Sequence, residues 1–455
     1  MITENVDVVV IGMGPGGEDA AGSLAQAGLR VVGIEKSLVG GECPYWGCVP
    51  SKMMIRAADL LAEARRIPGV AGSVSVKPDW SPVARRIRDQ ATDNWDDKVA
   101  VDRFVGKGGT FVRGRGVISG PGSVTVNGRT YASSRAIVIA TGTSPSIPPI
   151  PGLDRVQYWT NHEAIEADSL PASLIVLGGG AIGLELGQVF ARFGVAVTVV
   201  EALDRLLPLE EPEAGQTVAE VLEREGVKVR VGAEAVGASE DGSGITLTLA
   251  TGEAVTAERL LVATGRKANL DGLGIDTVGL DSTARWIRTD AHMRVTGGVW
   301  AVGDVTGEGA FTHVAMYQSA IATADILGQE AAPADYSALP RVTFTDPEVG
   351  SVGLTEAEAE RRGLTVRTGV ALVAHSARGW IHGPGNEGFI KLVEDSDRGV
   401  LVGATSVGPR GGEVLSMLGL AIKAAVPVAT LRTMIYAYPT FYRGVEDALR
   451  DLASA

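Results

Sequence analysis

A chain of 455 residues, 45% of them apolar, is too long for one ordinary core and implies two to four domains. A formal net charge of −13, with no run of lysines or arginines, excludes a phosphate-backbone partner, so no nucleic acid is expected. Two cysteines in so long a chain make no disulfide framework and too few ligands for a zinc centre, so no metal site is expected. Met1 to Asp7 carries no basic leader, and the apolar stretch from Leu418 to Leu431 is interrupted by Lys423 and Pro427. The expectation is a cytoplasmic protein with no signal peptide and no membrane span.

The first apolar run, Val8 to Ile11, leads into Gly12-Met13-Gly14-Pro15-Gly16-Gly17, an Ala-rich helical stretch, and a second strand from Arg30 to Ile34 that ends at Glu35. Gly12, Gly14 and Gly17 suit a tight turn that lets a pyrophosphate approach the helix N-terminus, whose free N–H groups and dipole favour an anion. Glu35 suits ribose hydroxyls.

Both cysteines follow at once, in Gly40-Gly41-Glu42-Cys43-Pro44-Tyr45-Trp46-Gly47-Cys48-Val49-Pro50-Ser51-Lys52. On a regular helix their spacing would give about 7.5 Å along the axis, more than the roughly 4.4 to 6.8 Å that a disulfide accepts between Cα atoms. The backbone must therefore leave the regular helix: Pro44 fits a first turn, Gly47 permits unusual dihedrals, and Pro50 is expected to disrupt the ladder again. The spacing alone leaves two readings open, a redox pair and two inert buried thiols.

Ala136 to Ile139 is the next apolar strand, closing on Ala140-Thr141-Gly142, and the proline-rich stretch from Pro145 to Gly152 reads as a stiff linker. The pattern then repeats. Leu174 to Leu177 leads to Gly178-Gly179-Gly180-Ala181-Ile182-Gly183, a helix through Phe193, and a strand from Val195 to Val200 ending at Glu201. Gly178, Gly180 and Gly183 take the positions of the first set, and in both copies the acid falls 23 residues after the first glycine, Gly12 to Glu35 and Gly178 to Glu201. The second unit also ends on a strand and an Ala-Thr-Gly turn, Ala263 to Gly265. Two fingerprints in full strand-and-helix context imply two bound dinucleotides.

This order of motifs resembles the FAD-dependent pyridine nucleotide-disulfide oxidoreductases, the family of dihydrolipoamide dehydrogenase, glutathione reductase and mercuric reductase, over essentially the whole chain. The resemblance implies an α/β fold of two Rossmann-like domains, for FAD and NAD(P), and a C-terminal α+β dimerisation domain. The expected division is residues 1–150 for FAD, 151–270 for NAD(P), 271–335 completing the FAD site, and 336–455 for a homodimer interface. Trp300-Ala301-Val302-Gly303-Asp304 resembles the second FAD motif, with Asp304 on the ribityl chain. Thr312 and His313, at an expected helix start, fall where the family faces the flavin pyrimidine edge, and Arg341 to Val352 resembles the start of the interface domain.

By the same resemblance Cys43 is the thiol that exchanges with substrate and Cys48 the one nearest the flavin, the two forming a redox-active disulfide. Lys52 and Glu185 are expected to pair near the flavin and nicotinamide. Glu201 favours NADH, because it repels a 2′-phosphate; NADP(H) fits less well, with Arg205 close enough to soften the preference.

One departure bears on the acceptor. Disulfide-reducing members carry His-Pro-Thr followed by a glutamate, whereas here Tyr436-Ala437-Tyr438-Pro439-Thr440-Phe441-Tyr442-Arg443 puts Tyr438 in place of the histidine and Arg443 in place of the glutamate. Reference pKa values of about 10 for tyrosine and about 6.5 for histidine make tyrosine a poor proton shuttle at neutral pH. Mercuric reductase shares the tyrosine but uses a further cysteine pair, and this chain has no cysteine beyond Cys48. The expected function is electron transfer from NADH through FAD and Cys43-Cys48 to a small-molecule acceptor, a disulfide, a quinone or a metal ion. The alternatives are a dihydrolipoamide dehydrogenase whose acid/base comes from elsewhere, such as His382, and a non-catalytic redox sensor.

Overall fold

The computed structural model describes residues 2–454. They form two compact units, the first built from the chain up to Pro50 with Arg85–Ser146 and Gly265–Asp335, the second from Ser51–Ala84, Ile147–Thr264 and the chain from Tyr336.

The first unit is organised by a sheet in the order Arg294–Thr296, Val299–Ala301, Arg129–Ile139, Ile2–Ile11, Val31–Glu35 and Thr110–Arg113. Its central strands are parallel, with Val8 opposite both Val31 and Ala136. Such strands are covered on both faces, and Val31–Glu35 is accordingly buried along its whole length. The helix Pro15–Gln26 makes the crossover and buries an alanine- and glycine-rich face. Small residues there let the helix lie close to the sheet and set the glycine turn at the carboxyl ends of the strands, where such folds bind ligands.

The second unit repeats this plan on a smaller scale. Strands Lys228–Arg230, Ala196–Val200, Ser173–Leu177 and Arg259–Val262 run parallel, with helix Ala181–Arg192 after the second glycine turn. A five-stranded antiparallel sheet follows, in the order Pro340–Thr343, Glu348–Gly353, Val400–Gly408, Phe389–Asp395 and Val366–Leu372. Helices Gly411–Lys423 and Gly444–Ser454 pack on it through Leu418, Val445, Leu449 and Leu452. Among the described residues, no helix is long and apolar enough to cross a membrane.

Buried charge ties the elements of this second unit together. Arg192 is 1% exposed and donates to Asp59, Glu225 and Asp346, each at 2.7 Å. Lys391, on the antiparallel sheet, reaches Glu211, Glu213 and Glu356 at 3.0, 3.0 and 2.7 Å, and Arg341 makes a forked pair with Glu210. Removing one member of such a cluster strands the others in a low-dielectric interior, which typically costs about 3–5 kcal/mol. Arg192→Leu should therefore lower the urea midpoint of unfolding sharply. A second change, Glu225→Leu, should recover part of the loss by removing one stranded carboxylate. An Arg192→Leu midpoint equal to wild type would show that the cluster contributes nothing.

Candidate functional site

Each glycine turn uses its three glycines for three separate tasks. Gly12 has φ +93° and lies so close to the next strand that a Cβ would sit 2.3 Å from the Ala140 carbonyl oxygen; Gly178, at φ +115°, would meet Ala263 at 2.5 Å. Gly17 and Gly183 are the packing positions, where a Cβ would lie 2.0 and 2.4 Å from the carbonyls of Gly12 and Gly178. Gly14 and Gly180 are the N-caps, neither supplying a side-chain cap, so bare N–H groups face outward at both helix starts.

The two acids are held in the same way. Glu35 accepts from the Met13 N–H at 2.8 Å and the Ser37 N–H at 2.7 Å; Glu201 accepts from Gly179 at 2.6 Å and Leu203 at 2.8 Å. Each carboxylate is locked at the mouth of its turn with acceptor capacity left for a ribose diol. Arg205, which sequence reasoning placed near a 2′-phosphate, instead donates to the carbonyls of Pro208 and Glu210, both at 2.8 Å.

In the first unit, further polar groups converge on the Ala-Thr-Gly turn. The Thr141 hydroxyl is buried without a protein partner, and Gly142 beside it has φ +64°. Arg266 donates to the Thr143 hydroxyl at 2.7 Å, which donates to the Asp304 carboxylate at 2.9 Å; Arg266 also pairs with Glu42 at 3.1 Å. Burial pushes the Asp304 carboxyl up from its ordinary value. The loop carrying Asp304 is fixed from beneath by Gln318, fully buried, whose side-chain oxygen accepts from Gly303 N–H at 2.7 Å. A bare glycine turn, a locked ribose-type acid, an orphaned buried hydroxyl and a desolvated carboxyl fit the adenosine, pyrophosphate and ribityl groups of FAD. The second turn fits a second dinucleotide.

The sulfur pair lies in the same unit. A short helix, Glu42–Tyr45, ends at Trp46, and a new helix, Cys48–Arg66, begins two residues later. At the break, Gly47 passes so close to the preceding turn that a Cβ would lie 3.1 Å from the Glu42 carbonyl oxygen and 3.4 Å from Cys43 Cα. The backbone break expected from the cysteine spacing is thus present. Pro50 does not disrupt the ladder as expected, because it falls in the first turn of the second helix, where its missing N–H would have had no partner. Cys43 and Cys48 are free thiols within hydrogen-bonding reach of each other, and the Thr312 hydroxyl lies 3.5 Å from Cys48 Sγ. The Cys48 sulfur and burial push the Cys43 thiol up, and Thr312 acts in the opposite sense. Thr312 opens helix Thr312–Leu327, the expected helix start, and His313 stacks on Phe311 with ring centres 5.1 Å apart.

In the second unit Lys52 and Glu185 pair at 2.8 Å, and Glu185 also accepts from the Phe344 N–H at 2.8 Å. Tyr438 is 68% exposed, with the Arg443 guanidinium 5.3 Å from its ring centre. Arg443 pairs in turn with Glu446 at 3.1 Å. His382 packs edge-on against Phe441, and burial holds its imidazole pKa below the ordinary value. Sequence reasoning missed Gln318 and the Arg266–Thr143–Asp304 chain. The signal available for the latter was the residue after each Ala-Thr-Gly turn, Thr143 in one copy and Arg266 in the other.

Comparison with known proteins agrees with this geometry. Residues 6–319 match the model of the pyridine nucleotide-disulphide oxidoreductase family, and residues 339–449 match that family's dimerisation domain. The chain is 36% identical over 463 residues to dihydrolipoyl dehydrogenase of Chlorobaculum tepidum, covering 98% of this chain and 96% of that one. It is 33% identical over 467 residues to mercuric reductase of Shigella flexneri, covering 97% and 80%. Among solved structures, LpdA from Mycobacterium tuberculosis superposes with a TM-score of 0.86 at 27% identity, covering 99% of this chain and 100% of that one. The HOCl-induced flavoprotein disulfide reductase RclA from Escherichia coli superposes with a TM-score of 0.85 at 26% identity, covering 98% and 99%. The family's proteins bind FAD and NAD(H), the two dinucleotides that the paired glycine turns fit. The chain belongs to the pyridine nucleotide-disulphide oxidoreductase family, and it is an oxidoreductase.

Proposed function

We propose that the enzyme takes hydride from NADH and delivers the electrons through Cys43 and Cys48 to a small acceptor whose reduction needs no imidazole. FAD, when bound, supplies the two-electron relay between the nicotinamide and the sulfur pair. Gly12, Gly14, Gly17, Glu35, Thr141, Gly142, Asp304 and His313 would hold the flavin dinucleotide. Gly178, Gly180, Gly183, Glu201 and Gly265 would hold the nicotinamide dinucleotide, and the Lys52–Glu185 pair is assigned by family resemblance to the neighbourhood of the flavin and nicotinamide. Cys43 is the thiol that meets the acceptor, and Cys48, bonded to Thr312, is the one that closes the disulfide. The working form is a homodimer in the cytoplasm, divided into residues 1–150, 151–270, 271–335 and 336–455 in the roles expected from the motif order. The match of residues 339–449 to a dimerisation domain supports the dimer.

The observation that carries this reading is Tyr438. Where disulfide-reducing members present an imidazole, this chain presents an exposed phenol with a guanidinium over its ring. A phenol can donate a hydrogen bond to a leaving thiolate but does not shuttle protons efficiently at neutral pH, and general acid/base help is typically about 10²- to 10⁴-fold. A second reading, dihydrolipoamide dehydrogenase, is favoured by the 36% identity to a protein of that name and would need an acid/base other than residue 438. His382, whose imidazole pKa burial lowers, is the candidate.

Lipoamide turnover should therefore be low while NADH oxidation with a quinone is fast. Tyr438→His combined with Arg443→Glu should raise lipoamide turnover by about 10²-fold. A wild-type lipoamide rate equal to the quinone rate would favour the second reading. NADH should also exceed NADPH in kcat/KM, because the Glu201 carboxylate would repel a 2′-phosphate and the Arg205 guanidinium is engaged by the Pro208 and Glu210 carbonyls. Glu201→Ala should narrow that gap, and equal wild-type use of both nucleotides would remove the argument.

A further inference from the structure

Beside Cys43 the first unit holds a cavity of about 520 Å³, within the range of small-ligand sites. Cys43 lines it and Cys48 does not, so an acceptor entering there meets the first sulfur alone. Val39, Pro44, Tyr45 and Met316 supply apolar wall. The charged part of the lining is unbalanced: Glu18 and Arg103 neutralise each other at 2.6 Å, which leaves Asp19, Asp93 and Asp96 against Lys107. Asp19 is fixed by the Ser319 hydroxyl at 2.7 Å, and Asp96 by the Lys98 N–H at 2.8 Å. Asp93 sits in the left-handed run Asp93-Asn94-Trp95, with φ of 48°, 56° and 56°.

We propose that this cavity selects a cationic, low-molecular-weight disulfide, one carrying an ammonium group near each sulfur, over an anionic one. The inference rests on the Cys43–Cys48 relay proposed above and names its substrate class. Two independent features converge on it. A cleft lined by surplus negative charge raises the local concentration of cations and repels anions, with effects on association of about 10- to 10³-fold. An ammonium near sulfur also lowers the pKa of the departing thiol, and a lower-pKa thiol leaves faster. Such an acceptor has least need of the proton donor that Tyr438 replaces.

The chemistry balances without a further reagent. The Cys43 thiol gives its proton to solvent as its sulfur attacks one sulfur of R–S–S–R; that bond breaks, Cys43–S–S–R forms, and the first thiolate leaves. The Cys48 thiolate then attacks Cys43 Sγ, forming the Cys43–Cys48 bond and expelling the second thiolate. Solvent protonates both leaving groups to the extent that their pKa values require, and NADH supplies the two electrons.

Two measurements on the NADH-reduced holoenzyme test this. In the first, Cys43 is modified by trimethylammonioethyl and by sulfonatoethyl methanethiosulfonate, each rate divided by the rate with free 2-mercaptoethanol. The normalised ratio should favour the cation by about tenfold or more at low ionic strength, and should shrink with added salt and in Asp93→Asn/Asp96→Asn. In the second, steady-state NADH oxidation is compared for cystamine, neutral 2-hydroxyethyl disulfide and dianionic 3,3′-dithiodipropionate, with kcat/KM expected to fall in that order. A normalised reagent ratio of one or below, alongside disulfide turnover, overturns the charge selection and leaves the relay standing. A cation-favouring ratio with no turnover of any of the three disulfides overturns the relay, and the proposal with it.

Discussion

A single close pass of backbone over backbone sets up the chemistry. At Gly47 the chain leaves one helical turn and enters the next in a tight pass, where a Cβ would lie 3.1 Å from the Glu42 carbonyl oxygen and 3.4 Å from Cys43 Cα. A residue with a Cβ would require the preceding turn to give by a few tenths of an ångström. With the helix broken here, Cys48 starts its own helix within reach of Cys43, where an unbroken helix would have put the two residues about 7.5 Å apart along its axis. What surrounds the pair then acts on both sulfurs at once. The Thr312 hydroxyl, at the head of a neighbouring helix, lies within hydrogen-bonding reach of Cys48, and of the two sulfurs the cavity is lined by Cys43.

The two dinucleotide turns show how far one sequence solution can be reused and where it must diverge. Both lock an acid onto the N–H of the residue after the first glycine, and both use a third glycine to bring helix onto strand. They part after the Ala-Thr-Gly turn. In the first unit an unpartnered hydroxyl, a buried aspartate and an arginine-linked threonine gather there, a set of polar groups suited to a long, polar ribityl chain. These groups come from strand ends far apart in sequence, and the antiparallel pairing of Thr143–Pro145 with Arg266–Ala268 brings them together.

Much of this was legible beforehand because it is local. The strand from Val31, the helix after Gly14 and the helix start at Thr312 each follow from residues a few positions apart, and the observed bounds agree with the expected ones within a residue or two. What could not be read is non-local. Arg192 looks like an ordinary charge at the end of an apolar helix, yet its partners lie 33, 133 and 154 residues away and bury it almost completely. The Asp304 chain spans 161 and 123 residues in the same way. Pro50 was misread for the opposite reason: a proline is disruptive or harmless depending on its distance from a helix start, and that start was set by the break at Gly47. The π-turn Ile87–Ala91 and the left-handed residues after it carry no glycine or proline signal, so the wall they give the Cys43 cavity was invisible in the sequence.

On the proposed function, with Tyr438 standing where disulfide-reducing members carry an imidazole, the acceptor would be one whose leaving group parts with little proton help. All of this requires that the two cysteines cycle between disulfide and dithiol under NADH. The direct measurement is a count of free thiols in the denatured chain, which holds two cysteines, before and after anaerobic incubation of the air-oxidised holoenzyme with NADH. The account predicts none before and both after; two free thiols in the air-oxidised enzyme, or none after NADH, would contradict it.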